Sequence, residues 1–293
     1  MKTGLNIRLS RFIVLLTTIV VLIINLFSSS VWCQKSYRVA ILPEYLPIVI
    51  FEKYRPLIDY LKAELGVNLE LVIPKDFDEH MKMVKEGTVD FSYQNPYVFV
   101  QVWPHVQPLV ITEKGKKWGI ESQGVIISKI NKDISKPDDL IGKRVSIVSF
   151  YSAEGFIAQK NLLQGMMINS GVDYQVFETN SNLHGNVIAD VLKENTDAGF
   201  LSEEILAEPD PGSNISDEEL KQINIIAKTS YIPNWIFSSR KDLSPETVND
   251  FKKALMDIPV GSKVLKVARI RRFVPIPSNY LEEYRSRTNR KDH

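Results

Sequence analysis

Cysteine is almost missing: Cys33 is the only one in 293 residues. That excludes an internal disulfide, so an exported form of this chain must be held together by its core alone. Histidine is scarce too. His80, His105, His184 and His293 are scattered and give no metal-ligand spacing. Neither a Gly-rich phosphate loop nor a nucleophile elbow occurs. An excess of charge of one sign is also lacking, with 36 Lys and Arg against 35 Asp and Glu. That balance gives no reason to expect nucleic acid or an anionic membrane as partner.

What is present begins with an export signature. Lys2, Arg8 and Arg11 form a positive start, and Phe12 to Phe27 is apolar apart from Thr17, Thr18 and Asn25. Ser28, Ser29 and Ser30 then lead to Val31, Trp32 and Cys33. That order reads as a secretory signal peptide over residues 1–33, and the apolar run is short for a membrane span, which needs about 20 residues. Cleavage after Cys33, lipidation of Cys33 and an uncleaved anchor all stay open. Bulky Trp32 argues against lipidation. Without residues 1–33, which hold three basic residues and no acidic one, the net charge becomes −2. The remaining length suits one large or two medium domains.

The rest alternates strand and helix. Strands are expected at 37–42, 69–73 and 89–93, with helices at 51–65 and 77–85 between them, closed by Gly66 and Gly87. This predicts an α/β sheet with parallel neighbours. A similar pattern follows: strands at 124–128, 144–148, 174–177, 197–200, 223–227 and 235–238, and helices at 136–140, after Gly155, at 187–192 and at 246–256. Glu208 to Asp217 reads as a surface loop. Lys114 to Lys117 and Arg269 to Arg272 read as solvated turns, and Arg285 to His293 as a frayed tail.

Four stretches, taken in order, carry a family likeness. They are Arg55 to Gly66 with Val89 to Tyr97, then Asp139 to Val145 leading to Ser152 and Gly155, then His184 with Asp197 to Gly199, and finally Ile232-Pro233 before Arg240 to Leu243. Together they resemble the phosphonate-binding proteins of ABC importers, a family with the type II periplasmic-binding-protein fold. The resemblance implies an α/β, two-lobed architecture with two crossing hinge strands, near Gly124–Ser128 and Thr229–Trp235. Residues 34–125 with 235–293 would form the first lobe and 126–234 the second. A ligand would sit in the cleft at the C-terminal ends of the strands, and closure would be a hinge motion.

The same resemblance nominates Tyr93, Ser152, Ala153, Glu154, His184, Glu204 and Asn234 as ligand-binding residues, and Tyr45, just after Pro43 at the first strand end, joins them. Ser152 to Gly155 precedes a helix, whose first amides and positive dipole end favour an anion. Ala153 and Glu154 stand where the family has hydroxyl residues, so Glu154 either complements the dipole or receives an ammonium on the ligand. Tyr93 can stack and donate. His184 is a ligand donor or a packing residue, and Tyr45 is a cleft aromatic or a surface one. Glu204 and Asn234 fall near positions where the family contacts an amino group. Ser152→Ala and Tyr93→Ala are both expected to weaken binding with the fold intact. The expectation is a monomeric, non-enzymatic periplasmic binding protein for a small anionic or zwitterionic ligand, using no cofactor and no metal. Its partner would be an ABC permease or the periplasmic domain of a sensor kinase; an enzyme or a membrane-tethered scaffold would need different features in the cleft.

Overall fold

The computed structural model describes residues 35–115, 117–179, 183–209 and 215–288. The signal-peptide and Cys33 expectations lie outside the described residues. Among the described residues, no helix is long and apolar enough to cross a membrane.

The chain starts with β1 (Ser36–Ile41), whose inner residues Val39, Ala40 and Ile41 are fully buried. α1 (Pro47–Leu65) follows, starting four residues before the expected helix because Pro47 fits a first helical turn. It presents Ile50, Tyr54, Leu57, Ile58 and Leu61 to the sheet and ends at Gly66, whose φ of 64° is the left-handed stop a glycine accepts freely. β2 (Asn68–Val72), α2 (Phe77–Lys85, capped by Asp76), β3 (Phe91–Gln94), α3 (Pro96–Val102) and β4 (Val106–Glu113) complete the first passage through this lobe. β1 pairs in parallel with both β2 and β3, placing Val39 opposite Leu71 and Phe91. Parallel neighbours need crossovers, which α1 and α2 supply.

The second sheet is built from β5 (Glu121–Lys129), β6 (Arg144–Ile147), β7 (Gln175–Glu178), β8 (Ala198–Ser202) and β9 (Ile223–Pro233), in the order β7-β6-β8-β5-β9. Its helices are α4 (Ala158–Gln164), α5 (His184–Leu192), α6 (Glu203–Ala207) and α7 (Asp217–Leu220). Along β5, Ile126 packs on one face and Val125 and Ile127 on the other, so the strand is buried on both sides.

The chain then returns as β10 (Ile236–Arg240), α8 (Pro245–Met256), α9 (Lys263–Ala268), β11 (Arg272–Val274) and α10 (Tyr280–Thr288). β10 inserts antiparallel between β3 and β4, giving a six-stranded first sheet in the order β11-β4-β10-β3-β1-β2. Phe251 of α8 stacks on Phe91 at 3.7 Å between ring centres and anchors the larger core.

The described residues between the sheets are 114–115 with 117–120, and Asn234–Trp235. Gly124 to Ser128, expected in the first crossing, lies wholly inside β5. The two passages are joined side by side, Asn234 N–H donating to Ile120 O at 2.8 Å and Thr112 N–H to Trp235 O at 2.9 Å. Of the segment expected to fray, residues 285–288 form the last turn of α10; ahead of them α10 buries Leu281 and Tyr284, and Tyr280 donates to Glu121 Oε1 at 3.0 Å. Tyr284 shares a small apolar cluster with Val100, Ala153, Ala158 and Ile232, which come from both lobes.

Candidate functional site

A cavity of about 40 Å³ lies at the C-terminal ends of β1, β3 and β8, where the lobes meet. The first lobe contributes Glu44 and Tyr45, just past β1, with Tyr54 of α1 and Tyr93 of β3. The second contributes Glu204, because α6 begins directly after β8 and lifts that side chain off the strand end. Lys114 and Trp235 enter from the two passages, and Arg269 from the end of α9.

Tyr93 is the hub of the aromatic wall. Its ring stacks on Phe237 at 4.6 Å and contacts Trp235 at 5.2 Å and Tyr54 at 5.7 Å between centres. Its hydroxyl lies 2.8 Å from Thr112 Oγ1. Burial pushes the phenol well above the ordinary tyrosine range. Lys53 caps this wall, its ammonium 4.5 Å from the centre of the Tyr45 ring, a cation–π distance.

Four polar contacts tie the lobes together around the cavity. Lys114 Nζ donates to Glu204 Oε2 at 2.7 Å, with both side chains about four-fifths buried. Burial acts to discharge this lysine, but Glu204, Glu154 and Glu44 outweigh it and hold the ammonium well above the ordinary lysine range. Arg269 donates to Pro209 O at 3.0 Å and pairs with Glu208 at 3.6 Å. His184 Nε2 stands 4.0 Å from Glu44 Oε1. Because His184 Nδ1 accepts from Ser202 N–H at 3.1 Å, the proton of the neutral ring resides on Nε2, facing Glu44.

Of the residues nominated from sequence, Tyr45, Tyr93 and Glu204 line the cavity together. His184 stands behind Glu44. Ser152 Oγ accepts from Gly155 N–H at 3.0 Å and so caps its own helix. Ala153 packs in the apolar cluster around Tyr284. Glu154 is buried in a π-turn over Ala153–Ile157, where it accepts from Ser122 Oγ at 2.9 Å. Asn234 is fully buried, and its Oδ1 has no hydrogen-bond partner among the described residues. Lys114 and Arg269, read from sequence as parts of solvated turns, instead line the cavity. Arg271 and Arg272 are likewise engaged, both on Glu113. Lys114 shares no local motif with its partner, since it and Glu204 are ninety positions apart. Among the described residues, no group of His, Cys, Asp and Glu is arranged to hold a metal ion.

Two α/β lobes joined by paired passages, with a polar cavity between them, define a type II periplasmic binding protein. Residues 39–280 match the family described as "ABC transporter, phosphonate, periplasmic substrate-binding protein", and the chain belongs to that family of solute-binding proteins. A Xanthomonas citri protein bound to chloride ion is similar in structure, with a TM-score of 0.76 at 18% identity, over 87% of this chain and 98% of that one. PhnD1 from Prochlorococcus marinus, in complex with methylphosphonate, is similar with a TM-score of 0.71 at 15% identity, over 86% of this chain and 97% of its own. In sequence, the tetrathionate sensor histidine kinase TtrS of Salmonella typhimurium is 22% identical over 222 residues. The match takes in 71% of this chain and spans 37% of the kinase's length.

Proposed function

We propose that this chain binds a small anionic or zwitterionic solute of the phosphonate class between its lobes and delivers it to an ABC importer. The observation that carries this reading is a single cavity walled by Tyr45 and Tyr93 from one lobe and Glu204 from the other. Such a site can assemble only when the lobes close, so ligand and closure favour each other. The moving bodies would be β1 to β4 with β10 to α10, and β5 to β9, because the expected boundary after residue 125 falls inside β5. The exported protein would work in the periplasm, free or held to the membrane by an uncleaved signal or a lipidated Cys33. Neither a cofactor nor chemistry is required of it.

A second reading has its own support. The match to a sensor kinase, over only part of that kinase's length, favours a sensing protein whose closed form signals to a membrane kinase. One screen addresses the ligand under both readings. Thermal unfolding of the mature protein is followed with methylphosphonate, 2-aminoethylphosphonate, phosphate and tetrathionate. A ligand at 100 times its Kd should add about 2.7 kcal/mol and raise the melting temperature. A phosphonate hit supports the importer role, and a response to tetrathionate alone supports sensing. No shift with any small anion or zwitterion would overturn the solute-binding reading. Crosslinking in membranes, to a permease or to a kinase, then separates the partners.

A further inference from the structure

The ammonium of Lys114 is bonded to one carboxylate and shares the cavity wall with a second, Glu44, while a third, Glu154, adds to the field on it. Glu204 begins α6, Glu154 lies in the π-turn, and Glu44 follows β1. The contact with Glu204 is a direct 2.7 Å hydrogen bond, and Glu154 and Glu44 are close enough to stabilise the lysine's charge. Glu154 is also held by Ser122, and Glu44 faces His184. Glu204 is the only acceptor for the Lys114 ammonium among the described residues. An ammonium carries three N–H donors, so two remain for an incoming oxyanion.

A solute bringing its own ammonium to Glu204 would have to break a short, largely buried ion pair. It would then leave the lysine charged and without its partner in a desolvated place, which is costly. The cavity is also small. At about 40 Å³ it has room for roughly three water-sized groups, and the lysine stem occupies space that an aminoalkyl arm would need. We propose that Lys114 is a tethered ammonium that fills the cationic part of the cleft, and so selects solutes whose anionic group comes without an amine. The inference rests on the solute-binding reading and narrows its ligand class.

The test uses the whole mature chain with Lys114→Ala, and with Lys114→Met as a variant that keeps most of the stem. Propylammonium should raise the melting temperature of Lys114→Ala and leave the wild type unmoved. Tetramethylammonium, which has no N–H, should stabilise neither. In direct binding, the wild type should favour methylphosphonate over 2-aminoethylphosphonate by about tenfold, and Lys114→Ala should reverse the order. Two results would overturn the proposal: propylammonium failing to stabilise either folded variant, or wild type binding the amine-bearing phosphonate more tightly. If the wild type binds neither phosphonate, the phosphonate assignment fails, while the propylammonium result still decides the role of Lys114.

Discussion

Tyr93 belongs both to the aromatic core and to the cleft wall, and mutation separates the two roles. Removing its ring leaves a hole among Tyr54, Trp235 and Phe237. Tyr93→Ala is therefore expected to cost about 3–5 kcal/mol of stability in urea unfolding. The earlier expectation that this variant keeps its fold intact is replaced by that one. Tyr93→Phe keeps the ring and orphans only the Thr112 hydroxyl, at about 1 kcal/mol. A loss of affinity beyond that would belong to the phenol hydroxyl itself. His80 makes a different demand. It is fully buried in the first lobe, with Nε2 3.1 Å from Gln94 Oε1, and burial lowers its pKa from the ordinary 6.5 to about 4. Above pH 6.5 the ring is neutral in both folded and unfolded chains and adds no pH dependence. Between pH 6.5 and 4 the unfolded chain takes up a proton that the folded one refuses, so stability falls. The full effect below pH 4 is about 3 kcal/mol. His80→Gln should flatten this part of the stability profile, and an unchanged slope would exclude His80 as its source.

The turn from β6 into α4 is the element on which sequence and structure differ most usefully. Ser152 and Gly155 were legible there as a helix start, and the structure uses both to build one. Ser152→Ala should lose about 1 kcal/mol of cap energy. Gly155→Ala should lose more, since an added Cβ would lie 2.6 Å from Val148 Cγ2 and 2.7 Å from Ser152 Oγ. Chemical denaturation of the two variants side by side checks the order. Elements with a clean period were readable: α1 and α2 from apolar spacing and end signals, β1 to β3 from short apolar runs. α3 was not, because five of its seven residues are buried and it shows no polar face. β4 carries Pro108, which interrupts its apolar run, while α10 hides two buried residues in a charged stretch. The same logic governs the site. Tyr93 could be found because a motif lies around it, Tyr45 because it follows a strand end, and Glu204 because it falls near a position where the family contacts its ligand. Lys114 could not, since a lysine-rich turn looks solvated until the glutamate of another lobe is placed against it.

At the scale of the whole molecule, the second lobe is one continuous stretch, β5 to β9, whereas the first lobe is interrupted by it. A fragment of residues 121–233 should fold by itself and show a cooperative thermal transition by circular dichroism. A chain ending at residue 235 should show that same transition and no second one, because β3 and β4 would lack the strand between them. If the shortened chain instead displays both lobes' transitions, β10 is not needed to close the first sheet. The position of β10 also sets the order of events at birth. β3 and β4 are made early, yet the strand that joins them is made only after the entire second lobe. Trp235 and Arg269, which wall the cavity, come later still than the residues they face. A chain made only as far as the second lobe therefore has no assembled cleft and can trap no solute, so competence to capture arrives only once the segment through Arg269 has been made.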